Sequence, residues 1–158
     1  MITQIDIIFE GKLPGVDMYL LIRTLLNNIS DEREPYFNEP EDSSVTTHSD
    51  IIGVFESEEL IDFVVSFDEL NIFGISIPNI FSQTFVQGKE VELLLFFDFS
   101  DLDFRDGRTS IDNLRIWTTK FQEAFKFEYF RCQIDNGNAD QYYFDSHGLG
   151  PWYHLLDT

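Results

Sequence analysis

Basic side chains are scarce in this chain of 158 residues: ten Lys and Arg stand against 29 Asp and Glu, for a formal charge of −19. Nucleic-acid binding rests on a basic stripe that releases counterions from phosphates, and no such stripe is present. Anionic membrane surfaces are disfavoured on the same ground. Cysteine is nearly missing as well. Cys132 stands alone, which excludes an internal disulfide and CxxC metal motifs. It lies in the strand-like run Phe130-Arg131-Cys132-Gln133-Ile134 and reads as a small buried residue rather than a nucleophile. Apolar runs fall far short of the roughly 18 residues that span a bilayer. The opening Met1-Ile2-Thr3-Gln4-Ile5-Asp6 lacks the basic region of a secretory signal. These absences imply a cytoplasmic protein without a cofactor. Its partner would be a basic protein, with no nucleic acid and no membrane, although the same charge also suits plain solubility.

What is present is a core. Apolar residues make up 43% of the chain and include 17 phenylalanines. A single domain over 1–158 is expected, since a chain of about 150 residues buries roughly 70% of its unfolded surface. Most of the phenylalanines are expected in that core.

Residues 2–9 read as a strand, being rich in β-branched side chains and closed by Gly11-Lys12-Leu13-Pro14-Gly15. Residues 16–29 read as a helix, with Met18, Leu21, Ile22, Leu25, Leu26 and Ile29 on one arc. Residues 30–50 read as a long acidic loop broken by Pro35 and Pro40, with a possible short strand near Val45-Thr46-Thr47. Ile51 to Phe55 reads as a strand. Residues 57–70 fit either strand or helix, and Phe63-Val64-Val65 favours strand. Ile72 to Ile77 reads as a strand closed by Pro78. Residues 90–99 read as a central strand covered on both faces. Residues 110–126 form the clearest helix, with Ser110 as its N-cap. A hairpin over 127–145, turning at Asp135-Asn136-Gly137-Asn138, and an aromatic tail follow. The fold class is therefore α+β: a mostly antiparallel sheet of about five to seven strands with two amphipathic helices packed on it.

Candidate chemistry is thin. The run Asp98 to Gly107 holds Asp98, Asp101, Asp103 and Asp106. As a calcium loop it fails on spacing: counting from Asp101, Asp106 falls where an EF-hand needs glycine, and Leu102 and Phe104 interrupt the ligand run. The spacing of His147 and His154 matches no zinc pattern, and no HExxH or GxSxG motif occurs. Gly148-Leu149-Gly150-Pro151 reads as a turn, because Pro151 removes a donor that a phosphate loop would need. The chain is therefore read as a non-enzyme with no metal site. A carboxylate-based metal-dependent hydrolase, a generic acidic adaptor and a nucleic-acid mimic are the alternatives.

The charge is uneven. Between Arg33 and Lys89 there are eleven acids and no base. An acidic face is expected there from Glu34, Glu39, Glu41, Asp42, Glu56, Glu58 and Glu59. Trp152 is a candidate aromatic anchor for a partner, or else a plug that ties down the C-terminus.

The closing segment Tyr142-Tyr143-Phe144-Asp145-Ser146-His147-Gly148-Leu149-Gly150-Pro151-Trp152-Tyr153 has an aromatic-glycine ending. With the chain's short length, acidity, α+β pattern and lack of a catalytic signature, it resembles the bacterial immunity proteins of polymorphic or contact-dependent toxin systems. That resemblance implies neutralisation of a cognate toxin, often a basic nuclease, by covering its active site.

Overall fold

The computed structural model describes residues 4–30, 33–41, 47–102, 107–135 and 137–156. Eight strands form one sheet. They are β1 (Gln4–Lys12), β2 (Tyr36–Glu39), β3 (Leu60–Ile72), β4 (Ile75–Gln87), β5 (Glu90–Asp98), β6 (Tyr129–Ile134), β7 (Tyr142–Asp145) and β8 (Gly148–Leu149). The helices are α1 (Met18–Leu26), α2 (His48–Ser57) and α3 (Gly107–Phe125), with short 3-10 turns at Phe99–Asp101 and Tyr153–Leu155. The order across the sheet is β2-β3-β4-β5-β1-β6-β7-β8, and every neighbouring pair is antiparallel. The α+β class and the mostly antiparallel sheet expected from the sequence are what the structure shows.

One face of the sheet makes the core. Ile5, Ile7 and Phe9 on β1 and Leu93, Leu95 and Phe97 on β5 are almost fully buried. Leu21, Ile22, Leu25 and Leu26 of α1 and Ile111, Leu114, Trp117, Phe121 and Phe125 of α3 belong to the same cluster. Phe9 and Phe121 stack with centroids 4.6 Å apart, and Phe127 and Phe130 lie 5.3 and 6.2 Å from Phe9. The buried Trp117 satisfies its indole N–H by donating to the Ile72 carbonyl at 3.0 Å, which joins α3 to the far end of β3. Cys132 is fully buried and its thiol pKa is pushed well up by desolvation, with Asp6 adding to the shift.

Several local expectations are corrected. Residues 51–55 are helical, inside α2, where Thr47 caps the first turn by accepting from the Asp50 N–H at 3.1 Å. Their β-branched character is overridden by packing: Phe55 meets Phe37 and Phe63 at 5.9 and 5.5 Å. The long acidic loop thus contains β2 and the start of α2. Val45 and Thr46 lie outside the described residues.

The strand expected over 72–77 is interrupted by a hairpin turn: Ile72 ends β3 and Ile75 to Ile77 open β4. Phe73 and Gly74, both at positive φ, make a two-residue connection between Ile72 and its partner Ile75. Pro78 does not end β4. It pairs with Glu69 on β3, but β5 pairs with β4 only from Phe81 onward, so the missing N–H falls where β4 has an open edge. Ser110 is not a cap either; it is buried within α3, one turn after the helix begins at Gly107.

The core face of β4 carries two fully buried hydroxyls, Ser82 and Thr84, whose oxygens have no hydrogen-bond partner among the described residues. Thr84 sits between Phe63 and Leu93. A desolvated, unpaired hydroxyl is destabilising by about 1–3 kcal/mol. Thr84→Val should therefore stabilise the protein by roughly 1 kcal/mol and raise Tm by about 2–4 °C in a thermal melt. A lowered Tm would show that the hydroxyl has a partner or that the extra methyl does not fit.

Candidate partner-binding surface

Among the described residues, no helix lies on the opposite face of the sheet. Its side chains follow from strand alternation and register. One row runs Glu39, Asp62, Phe85, Glu92, Glu10, Tyr129 from β2 to β6. The next runs Tyr36, Val64, Gln83, Leu94, Ile8, Arg131, Asp145. A third runs Ser66, Phe81, Phe96, Asp6, Gln133. A sheet face turned to water ordinarily carries polar side chains. Here an apolar band of Ile8, Phe81, Phe85, Leu94 and Phe96 crosses its centre. Shallow concavities of about 520 Å³ and 450 Å³ open onto it, the first lined by Leu60, Phe85, Glu10 and Glu92 among others, the second by Phe81, Leu94, Phe96 and Asp6.

Carboxylates frame the band. Asp62 accepts from Gln83 at 2.8 Å and from Asn38 at 3.2 Å, which fixes it at the β3 side. Glu92 and Glu10 stand directly opposite each other on β5 and β1. Like charges so placed are destabilising. The pKa of Glu92 is raised above the ordinary carboxylate value, first by desolvation and then by repulsion from Glu10. The cation of these rows, Arg131, is turned to internal use: it donates to the Ala139 carbonyl at 2.6 Å and lies over the Tyr142 ring at 4.3 Å. Arg115 and Lys120 instead lie on α3, on the other side of the sheet. The helices on that side carry both signs, Asp50, Glu56, Asp112 and Glu123 beside Arg23, Arg108, Arg115 and Lys120.

Of the acids singled out in the sequence, Glu39 alone is placed on this face by the register, and the described ones form no single cluster. Glu39 ends β2 opposite Asp62, within the first row. Glu34 and Glu41 are exposed on either side of β2. Glu58 caps the end of α2, its N–H donating to Val54 at 3.0 Å, and the Glu59 carbonyl accepts from Gly88 at 2.9 Å, beside the larger concavity. Glu56 faces another way, into a small groove between α1 and α2 with Tyr19 and Ile52. Asp42 lies outside the described residues. Trp152 is half-buried, edge-on to Tyr143 at 6.3 Å, with its backbone N–H on the Tyr142 carbonyl at 3.1 Å. Of the acids at 98–106, Asp98 accepts from the Ser100 N–H and hydroxyl at 2.9 and 2.7 Å, while Asp103 and Asp106 lie outside the described residues. His48 opens α2, and the backbone N–H of His147 donates to Asp145 at 2.8 Å.

The sequence reading missed Glu10, Asp62, Glu92 and the outward phenylalanines. It took residues 90–99 as covered on both faces; in fact Val91, Leu93, Leu95 and Phe97 point to the core while Glu92, Leu94, Phe96 and Asp98 point away. The alternation in Glu90-Val91-Glu92-Leu93 was the available signal.

A family model described as the PABL017 Cdi1I immunity protein matches residues 4–145, from the first residue of β1 to the last of β7. The chain belongs to that immunity-protein family. The match spans all the strands that build the helix-free face, whereas most of the aromatic-glycine ending lies beyond it. Among solved structures, a chain in the crystal structure of the toxic C-terminal tip of CdiA from Pseudomonas aeruginosa in complex with immune protein is similar. It has a TM-score of 0.68 and 18% identity, with 94% of this chain and 97% of that one covered. At that identity the likeness speaks for the fold. No curated protein matches the chain. Among the described residues, no helix of this Cdi1I-family chain is long and apolar enough to cross a membrane.

The raised pKa of Glu92 has a stability consequence. Above the ordinary carboxylate value the unfolded chain binds fewer protons here than the folded one, so this group's contribution falls as pH rises through that window. Glu92→Gln should raise the Tm at neutral pH, and the gain should shrink in acid, where the native carboxyl is already protonated. Thermal melts at both pH values check this; an equal gain at both would leave ionisation out of it.

Proposed function

We propose that this chain is a non-enzymatic immunity protein that binds the toxic tip of a cognate CdiA protein in the cytoplasm and neutralises it through an acidic surface. The supporting observation is the family match across β1 to β7, the strands that carry the uncovered face. The similar solved chain comes from a complex of a toxic tip with immune protein, which agrees with a toxin as the partner. A net charge of −19 favours a basic partner, and a nuclease is the natural example, since its cleft must attract phosphates. Opposed fields of this size speed encounter and are screened by salt.

The acids Glu34, Glu39, Glu41 and Asp42, with Glu56, Glu58 and Glu59, would contribute the field at the β2 side. Trp152, half-buried beside Tyr143, would serve as an anchor at the other end. No bond-making step is assigned to the chain.

The test is co-expression with the toxic tip of the CdiA protein made by the same cell, joined to a binding assay at several salt concentrations. The chain should restore growth, and the association rate should fall about tenfold or more between low and high salt. Charge reversal at Glu34, Glu39, Glu41 and Asp42 together should slow association and flatten that salt dependence. Failure to protect or bind would remove the immunity reading, and an unchanged rate in the fourfold variant would remove those four acids from the interface.

A further inference from the structure

Three surfaces are open to a toxin. The groove between α1 and α2, with Tyr19 and Ile52, is small, about 60 Å³. The patch on α3 around the exposed Ile116 lies between Arg115 and Lys120, the wrong sign for a basic partner. The helix-free face of the sheet combines apolar area with negative charge.

We propose, building on the immunity reading, that the toxin docks on the helix-free sheet face, centred on Phe85 and the Glu10–Glu92 pair. The occupant is a basic protein surface that sets an apolar projection on the band and an arginine side chain beside those two carboxylates. Register places Phe85 directly beside Glu92, and Glu92 directly beside Glu10. Among the described residues neither carboxylate has an ion-pair partner on this face; Lys12 approaches Glu90 instead, at 3.9 Å. Phe85 remains 38% exposed although it lies on an interior strand. A guanidinium suits the site because it is planar and weakly hydrated: it can lie on the Phe85 ring while donating to both carboxylates. It would also remove the repulsion between Glu10 and Glu92, which no ion pair among the described residues relieves. The fold therefore tolerates a like-charge pair that a bound cation turns into an attraction. Interfaces commonly place such an aromatic and charge cluster near their centre, ringed by polar side chains.

The decisive variant is Glu92→Lys. It gives Glu10 an opposite charge across the strands and should leave the fold intact or more stable. It also puts a cation where the toxin would bring its own. Phe85→Ser removes the aromatic surface without altering charge, and Ile116→Ser on α3 is the control. Binding of the purified CdiA toxic tip of the same cell would be measured by calorimetry, with Tm recorded for each variant. Glu92→Lys should weaken binding about 100-fold or more, Phe85→Ser about tenfold, and Ile116→Ser less than threefold. If the unsubstituted chain binds and Glu92→Lys, still folded, binds equally well, the docking surface lies elsewhere and the immunity function stands. A loss confined to Ile116→Ser would likewise overturn the proposal. If the unsubstituted chain does not bind at all, the immunity reading itself fails. Should Phe85→Ser lower the Tm sharply, Glu92→Lys alone decides.

Discussion

An antiparallel sheet clad by helices on one side has two faces with opposite duties, and the rest of this molecule follows from that asymmetry. On the clad side, Phe9 stacks on Phe121 at 4.6 Å and the β1, β4 and β5 side chains disappear beneath α1 and α3. That burial supplies the driving force for folding, at roughly 25 cal/mol per Å² of apolar surface. The strand period of two then forces the intervening residues outward, whatever their chemistry. A shift of one residue in register would exchange the acids for the core, so hydrophobic pairing on one face also fixes the charge pattern of the other.

That outward pattern is not the one that best serves the isolated fold. Carboxylates meet across strands at Glu39–Asp62 and Glu10–Glu92, and phenylalanines remain in contact with water. Natural binding sites often retain such locally unfavourable features, because relieving them in the free protein would weaken the complex. Half of the ten Lys and Arg lie on or after α3, and one of these, Arg131, is on the open face itself, where the Ala139 carbonyl and the Tyr142 ring hold it. A neutral or basic competitor without the matching charges would meet desolvated acids left unpaired, which favours one partner over others.

Much of the architecture was readable from periodicity. The helices expected over 16–29 and 110–126, found over 18–26 and 107–125, the strand at β1, the β6–β7 hairpin and the burial of Cys132 all follow from spacing that burial in one core enforces. What escaped notice depended on contacts distant in sequence. Residues 51–55 carry strand-forming side chains but fold as helix because Phe55 packs on Phe37 and Phe63. β4 was hidden by Pro78, which is harmless once β5 is known to stop short of it. The acid-rich character of the chain was plain, but the sequence run that drew attention, residues 34–59, supplies mainly one margin of the open face. Its centre comes from β1, β4 and β5, three strands spread between residues 4 and 98, and only the register assembles it.

The central claim is that the helix-free face meets the toxin, and oxidative footprinting of side chains in the free and complexed protein tests it most directly. Phe81, Phe85 and Phe96 should lose reactivity on complex formation while Tyr19 on α1 and Ile116 on α3 keep theirs. Protection of Tyr19 or Ile116, with the three phenylalanines still reactive, would contradict the account.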